Sequence, residues 1–145
     1  IIVGTNTAAS GGEYIDSFAG NQFIEHQFQV DTAGTYDFIL FAANRNRDDS
    51  IMDIEINGTL YDDVLITRTF DWNVYLETRI PDITLNQGQN TVRLTQRRSL
   101  SSEPDKIEFE LVTPLSINEF DFQNILVYPN PSHGIFNIKS KIQNL

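Results

Sequence analysis

At 145 residues with 40% apolar composition, the chain is long enough for one domain with a hydrophobic core and a smaller second element. Twenty acidic and 10 basic residues give a formal net charge of -10, which argues against nucleic acid and anionic membrane surfaces as partners. The absence of cysteine excludes disulfides and thiolate metal sites, and no apolar run approaches the roughly 20 residues that a transmembrane helix needs.

Short apolar runs with the two-residue period of strands fill the first 112 positions. FIEHQFQV (23–30) places Ile24, His26, Phe28 and Val30 on one face, and IMDIEING (51–58) places Met52, Ile54 and Ile56 on one face. YDFILFAA (36–43) is apolar almost throughout, which predicts a strand buried on both sides.

Further strands are predicted within LYDDVLI, NVYLETRIPDITL, NTVRLTQ and KIEFELV. Turn residues separate the runs, including the pair Asn57–Gly58, and no segment sustains a 3.6-residue period. About seven strands in roughly 110 residues predict an all-β fold, a β-sandwich.

The pattern changes after Val112. The segment 113–124 mixes Pro, Ser, Asn and acidic residues with two isolated Phe, which is typical of a linker. Apolar residues return over 125–145 on both sides of the turn PNPSHG, which predicts a short β-hairpin-like element appended to the sandwich domain of 1–112.

Catalytic chemistry has little support in the sequence. Of the two histidines, His26 alternates with apolar residues, which indicates a packed or edge histidine, and His133 lies in a turn. Phosphate-binding loops and the HExxH and GxSxG motifs are absent. Catalysis by this chain is therefore not expected.

Two aromatic residues beside loops suggest a sugar-binding site. Trp72, the only tryptophan, lies between Asp71 and Asn73 just before a predicted strand, and Tyr14 follows two glycines. Sugar rings stack their C–H faces on aromatic rings, while their hydroxyls pair with nearby polar side chains. The alternative is that both rings cap the core of the sandwich.

Residues 12–110 resemble the carbohydrate-binding modules of family 6 and of the related families 35 and 36. The resemblance rests on GEYID with FIEHQFQV, on DTAGTYDFILFAAN, on WNVYLETRIPDITLNQGQNTVRL and on PDKIEFEL, in that order. It implies a jelly-roll β-sandwich that binds polysaccharide and is appended to a polysaccharide-degrading enzyme.

The same resemblance implies particular site residues. A Tyr and a Trp that stack on one sugar ring match Tyr14 and Trp72, and an Asn that binds hydroxyls is replaced here by Glu103. A carboxylate accepts hydrogen bonds from sugar hydroxyls but does not donate them. Arg97, Arg98 and Ser102 are the nearby candidates for a surrogate donor.

The resemblance also implies a structural calcium ion, with Asp105 as one ligand. The acidic residues that the first strand of the family contributes have no counterpart in IIVGTNTAASGG. We therefore expect that first strand to lie before Ile1.

The stretch ILVYPNPSHGIFNI resembles the start of the C-terminal sorting domain of the type IX secretion system of Bacteroidetes. The matching signature residues are Tyr128, Pro129, Asn130, Pro131, Gly134 and Phe136. Such a domain is recognised by the type IX secretion machinery, so the resemblance implies a secreted or cell-surface protein.

Three classes of function follow. The first is a non-catalytic carbohydrate-binding module of a larger secreted glycoside hydrolase or polysaccharide lyase. The second is a structural or adhesive cell-surface sandwich without a sugar site, and the third, with the least support, is a small catalytic domain such as a lyase.

Overall fold

The computed structural model describes residues 2–16, 18–97, 101–114, 126–129 and 136–139. The chain divides into two compact units, Ile1–Leu115 and Ser116–Leu145. In the described part of the first unit the strands are β1 (Ile2–Thr5), β2 (Glu13–Asp16), β3 (Phe23–Val30), β4 (Gly34–Ala43), β5 (Ser50–Ile56), β6 (Thr59–Ile66), β7 (Leu76–Leu85), β8 (Gly88–Arg97) and β9 (Glu103–Pro114).

Two antiparallel sheets make up most of this unit. One has four strands in the order β3-β8-β5-β6, and the other has three in the order β7-β4-β9. Strands β1 and β2 pair with each other, and β2 lies beside β9. The all-β sandwich predicted from the sequence is confirmed.

The core lies between the two sheets, because alternate residues of their strands point inward. From β5 it receives Met52, Ile54 and Ile56, the face that the alternation predicted. From β4 it receives Phe38 and Leu40, and the outward-facing Ile39 is also buried. The prediction that β4 is buried on both sides is therefore confirmed.

The Asn57–Gly58 turn joins β5 to β6. Both residues have positive φ, 50° for Asn57 and 82° for Gly58, and Ile56 pairs with Thr59 across the turn. These are the features of a two-residue hairpin loop, for which Asn-Gly is a preferred sequence.

Both ends of the unit differ from what the sequence predicts. The hairpin of β1 and β2 was not predicted, apart from the strand start at GEYID, because its strands have only four residues each and a weak alternation. Strand β9 continues to Pro114, so residues 113 and 114 belong to a strand although a linker was predicted there. Residues 115–124 of that linker lie outside the described residues.

The second unit contains an antiparallel pair, β10 (Leu126–Pro129) and β11 (Phe136–Lys139), in which Pro129 lies opposite Phe136. The predicted hairpin-like segment is therefore present. Of the signature residues, Tyr128, Pro129 and Phe136 lie in these strands. Asn130, Pro131 and Gly134 lie outside the described residues, as does His133.

In the part of the chain that the structure describes, no helix has the length and apolar character needed to cross a membrane.

Candidate functional site

Asn6, in the connection between β1 and β2, reaches the loop between β6 and β7. Its Nδ2 donates to the backbone oxygen of Trp72 at 3.2 Å and to the hydroxyl oxygen of Tyr75 at 3.4 Å. Its Oδ1 accepts from the backbone N–H of Ala8 at 2.9 Å, which holds the side chain in place. One amide therefore connects Trp72, which is half-buried, to a second aromatic residue, Tyr75.

The ring of Tyr14 lies over Gly4, its partner across the β1–β2 pair. A Cβ atom on Gly4 would lie 2.4 Å from Cζ of Tyr14, much closer than two carbon atoms can approach. Glycine at position 4 thus makes the space that the half-buried Tyr14 ring occupies.

Glu103, the first residue of β9, places a carboxyl group in the same site. The residue is only 8% exposed, and its Oε2 has no hydrogen-bond partner among the described residues. Burial, reinforced by the nearby charge of Asp16, raises the pKa of Glu103 to about 7. An unpaired buried carboxyl oxygen is costly, and sites that bind a ligand are one place where such groups persist.

The negative charge of Glu103 acts on two phenols, those of Tyr14 and Tyr75. Burial is the main cause that raises the pKa of Tyr14, and the charge of Glu103 is the next. The same two causes, in the same order, raise the pKa of Tyr75 to about 12. Both phenols are therefore protonated at neutral pH and able to donate a hydrogen bond.

The loop that carries Trp72 is held by a set of hydrogen bonds. Thr69 donates its backbone N–H to the backbone oxygen of Asn44 at 2.7 Å and its hydroxyl to the backbone oxygen of Asp71 at 2.7 Å. Asp71 Oδ1 accepts from both the backbone and the side chain of Asn73 at 3.0 Å, and these bonds lower the pKa of Asp71. Trp72 thus lies between Asp71 and Asn73, which are both held by hydrogen bonds within the loop.

The sequence-predicted residues Tyr14, Trp72 and Glu103 therefore belong to neighbouring parts of one end of the sandwich. Two phenols, a half-buried indole and a buried carboxyl with a free oxygen offer apolar faces together with hydrogen-bond donors and acceptors. This combination suits a ligand that has both C–H faces and hydroxyls.

Two of the three surrogate donors that the sequence offers, Arg97 and Ser102, bond to other residues. Arg97 forms ion pairs with Asp53 at 3.3 Å and with Asp63 at 3.9 Å. Ser102 is fully buried, and its hydroxyl donates to Oε1 of Gln96 at 2.6 Å. Arg98 lies outside the described residues, and His26 is exposed on the edge strand β3.

The residues around Asp105 do not by themselves make a calcium site. Asp105 Oδ1 accepts a hydrogen bond from the backbone N–H of Ser10 at 2.8 Å. Among the residues with described side chains, no group of three or more His, Cys, Asp or Glu is arranged to hold a metal ion. Calcium usually takes six to eight oxygen ligands, more than the carboxylate of Asp105 alone can offer.

Sequence reasoning missed Gly4, Asn6, Asp16 and Tyr75. Tyr75 follows Trp72 by three positions in the same loop, and this spacing of two aromatics was a usable signal. Gly4 and Asn6 carried no comparable signal, because their partners lie in other elements.

Several proteins of known structure have folds that superpose on that of this chain. Two structures of a family 35 carbohydrate-binding module from Clostridium thermocellum superpose with TM-scores of 0.64 and 0.69 at 28% and 25% identity. The matches cover 75% and 77% of this chain and 86% and 88% of those chains. An exo-β-1,3-galactanase from Phanerochaete chrysosporium matches at 19% identity with a TM-score of 0.60, over 74% of this chain and 25% of the galactanase.

The sequence matches no protein-family model and no curated protein. The fold is that of a carbohydrate-binding module of the group that includes families 6, 35 and 36. The Clostridium thermocellum modules belong to family 35, one of the three families that residues 12–110 resemble.

Proposed function

We propose that residues 1–112 form a non-catalytic carbohydrate-binding module of a larger secreted polysaccharide-degrading enzyme. Tyr14 and Trp72 supply stacking surfaces for a sugar ring, and Glu103 pairs with its hydroxyls. Holding the substrate close raises its local concentration around the catalytic domain.

The observation that carries this proposal is the buried carboxyl of Glu103, whose Oε2 is unpaired and whose charge acts on the Tyr14 and Tyr75 phenols. A folded domain rarely keeps such an oxygen without a partner. A ligand hydroxyl would complete its hydrogen bonding. The shared fold with family 35 modules supports the same conclusion.

Isothermal titration with soluble oligosaccharides from galactan, xylan, mannan and polygalacturonate tests the proposal. Wild type should bind at least one of them, and Trp72→Ala should weaken that affinity by roughly 10-fold or more, because an aromatic stacking surface is lost. Leu60→Ala is the matched control, since Leu60 is exposed and lies at the start of β6, away from the loop that follows Ile66.

Two results would contradict the proposal. If wild type binds none of these glycans, the structural or adhesive sandwich becomes the better interpretation. If Trp72→Ala binds as tightly as wild type while remaining folded by circular dichroism, the site lies elsewhere on the domain.

The parent protein and its export are a second part of the proposal. We infer that residues 125–145 begin a type IX sorting domain and direct the protein to the cell surface or the medium. The support is the VYPNP signature together with the β10–β11 pair.

Fusion of this segment to a periplasmic reporter in a type IX-competent strain should release the reporter, and Gly134→Val should reduce that release. Retention of the wild-type fusion would refute this part alone.

A calcium ion bound through Asp105 is a separate proposal, motivated by the sequence resemblance. The test is a thermal melt after removal of metal, repeated with added calcium, for wild type and Asp105→Asn. Calcium that raises Tm in wild type only would support it, and an unchanged wild-type Tm would refute it.

A further inference from the structure

Phe70 has a backbone conformation that its side chain does not favour. Its φ is 64°, in the left-handed region. The other non-glycine residues with positive φ in the described part of the chain are Asn21, Asn57, Asp63 and Asp82. Asn and Asp tolerate this region, whereas a bulky aromatic residue there is an outlier.

Packing of the Phe70 ring does little to offset this backbone strain. It is 69% exposed, the highest value among the exposed large hydrophobic residues of the described chain. The guanidinium carbon of Arg68 lies 4.0 Å from the ring centroid, a cation–π contact on one face. The high exposure leaves the rest of the ring open to solvent.

The neighbours of Phe70 impose this conformation. The backbone N–H of Arg68 donates to Asp49 Oδ1 at 2.8 Å, and Thr69 is buried and bonded to Asn44. After Phe70, the backbone oxygen of Asp71 accepts from the Thr69 hydroxyl. Strain that the surroundings over-determine, at an exposed aromatic residue, is typical of a binding surface.

We propose that Phe70 is a second stacking platform, which binds a further sugar unit of the glycan held at Trp72. Phe70 precedes Trp72 by two residues in the same anchored loop. Arg68 covers one face of the ring and orients it, and the open face receives the sugar. The ligand is therefore an oligosaccharide of at least two units, and the inference rests on the proposed carbohydrate-binding function.

The experiment compares mono-, di- and trisaccharides of galactan, xylan, mannan and polygalacturonate by isothermal titration. Two variants change Phe70. In Phe70→Asn the new residue tolerates the left-handed backbone but has no ring, and Phe70→Tyr keeps an aromatic ring. Trp72→Ala reports on the primary site. Leu60→Asn is the matched control, because Leu60 is a 57% exposed apolar residue at the far end of β6.

For the glycan that binds, wild type should prefer the trisaccharide to the monosaccharide. Phe70→Asn should weaken trisaccharide binding by roughly 3- to 30-fold and leave monosaccharide binding unchanged. Phe70→Tyr should keep the preference, and Leu60→Asn should match wild type. The Tm of Phe70→Asn should not fall below that of wild type, because the substitution relieves backbone strain.

Several outcomes separate this inference from the function on which it rests. Equal trisaccharide binding by Phe70→Asn and wild type, with binding lost in Trp72→Ala, overturns the second platform and leaves the module intact. Equal weakening of monosaccharide and trisaccharide places Phe70 in the primary site and also overturns it. A lower Tm in Phe70→Asn contradicts the strain argument, and no binding by wild type refutes both proposals.

Discussion

Glu103 illustrates how burial decides the chemistry of one residue. By position it matches an Asn of the family that residues 12–110 resemble, and as a carboxylate it is expected only to accept hydrogen bonds. The structure buries it beside Asp16 and raises its pKa to about 7. Near neutral pH the group is therefore partly protonated and can donate as well as accept a hydrogen bond.

Glu103→Gln should make stability less dependent on pH. Below a pH of about 4.5, Glu103 is protonated in both the folded and the unfolded chain and carries no ionisation penalty. As the pH rises to about 7, the unfolded chain loses this proton first, so the folded state loses stability relative to the unfolded state. Above that pH the penalty is fully present.

Urea denaturation at acidic and alkaline pH measures this effect. Glu103→Gln should exceed wild type in unfolding free energy at about pH 8 and match it at about pH 4. Glu77→Gln, at an exposed glutamate of β7, is the matched control and should follow wild type at both. A variant that is less stable than wild type at alkaline pH would contradict the assigned burial penalty.

Gly4→Ala should displace the Tyr14 ring. The new Cβ would overlap the far end of a side chain that can rotate, so the cost in unfolding free energy should be only about 1 kcal/mol. Glycan affinity should fall nearly as far as in Tyr14→Ala. Calorimetry and thermal melts measure both quantities, with the exposed Val3→Ala as control. Unchanged affinity in Gly4→Ala would show that the ring position is not required.

At the scale of elements, the loop between β6 and β7 is anchored by a buried residue of another loop, Asn44. Asn44, which is fully buried, donates from Nδ2 to the backbone oxygens of Ile66 at 3.0 Å and Asp48 at 3.3 Å. Its backbone N–H donates to Thr69 Oγ1 at 3.0 Å. One residue after β4 thus connects the β4–β5 and β6–β7 loops at the candidate site.

Asn44→Ala should therefore destabilise the domain and loosen the site. A buried hydrogen bond to the backbone oxygen of Ile66 and a partly buried one to that of Asp48 are lost, which predicts a loss of about 3 kcal/mol in unfolding free energy. Asn73→Ala, at an exposed asparagine of the same loop, should change stability by no more than about 1 kcal/mol. Urea denaturation compares the two, and similar values for both variants would argue against the anchoring role.

The strands themselves were largely predictable, and the loops were not. The period-2 alternation of β5 and the apolar run of β4 are local patterns, so each predicted its own strand and face. The short β1–β2 hairpin is placed by its contact with β9, which no local pattern reports. Loop anchors such as Asn44 resemble any surface asparagine in the sequence.

At the scale of the whole molecule, two units divide the chain near residue 115, close to the change in composition after Val112. The core residues of the sandwich all lie in the first unit. That unit therefore contains its own hydrophobic core.

A chain ending at Leu115 should fold and bind glycan like the longer one. Since the core and the candidate site lie within Ile1–Leu115, truncation should shift Tm by only a few degrees at most. Thermal melts and titration of both chains make the comparison. Loss of cooperative unfolding in the shorter chain would show that the second unit is needed for stability.

The sequence by itself determined the all-β fold, the buried faces of the central strands, the appended hairpin and the aromatic residues to test. These properties follow from two-residue alternation, turn residues and short motifs, which are all local in the chain. The tertiary structure decided which residues meet: Asn6 bonds to Trp72 across 66 positions, and Ser10 bonds to Asp105 across 95. It also decided the burial of Glu103, the use of Ser102 in the interior and the strained exposure of Phe70. Burial and pairing depend on distant neighbours, and only the folded chain brings those neighbours together.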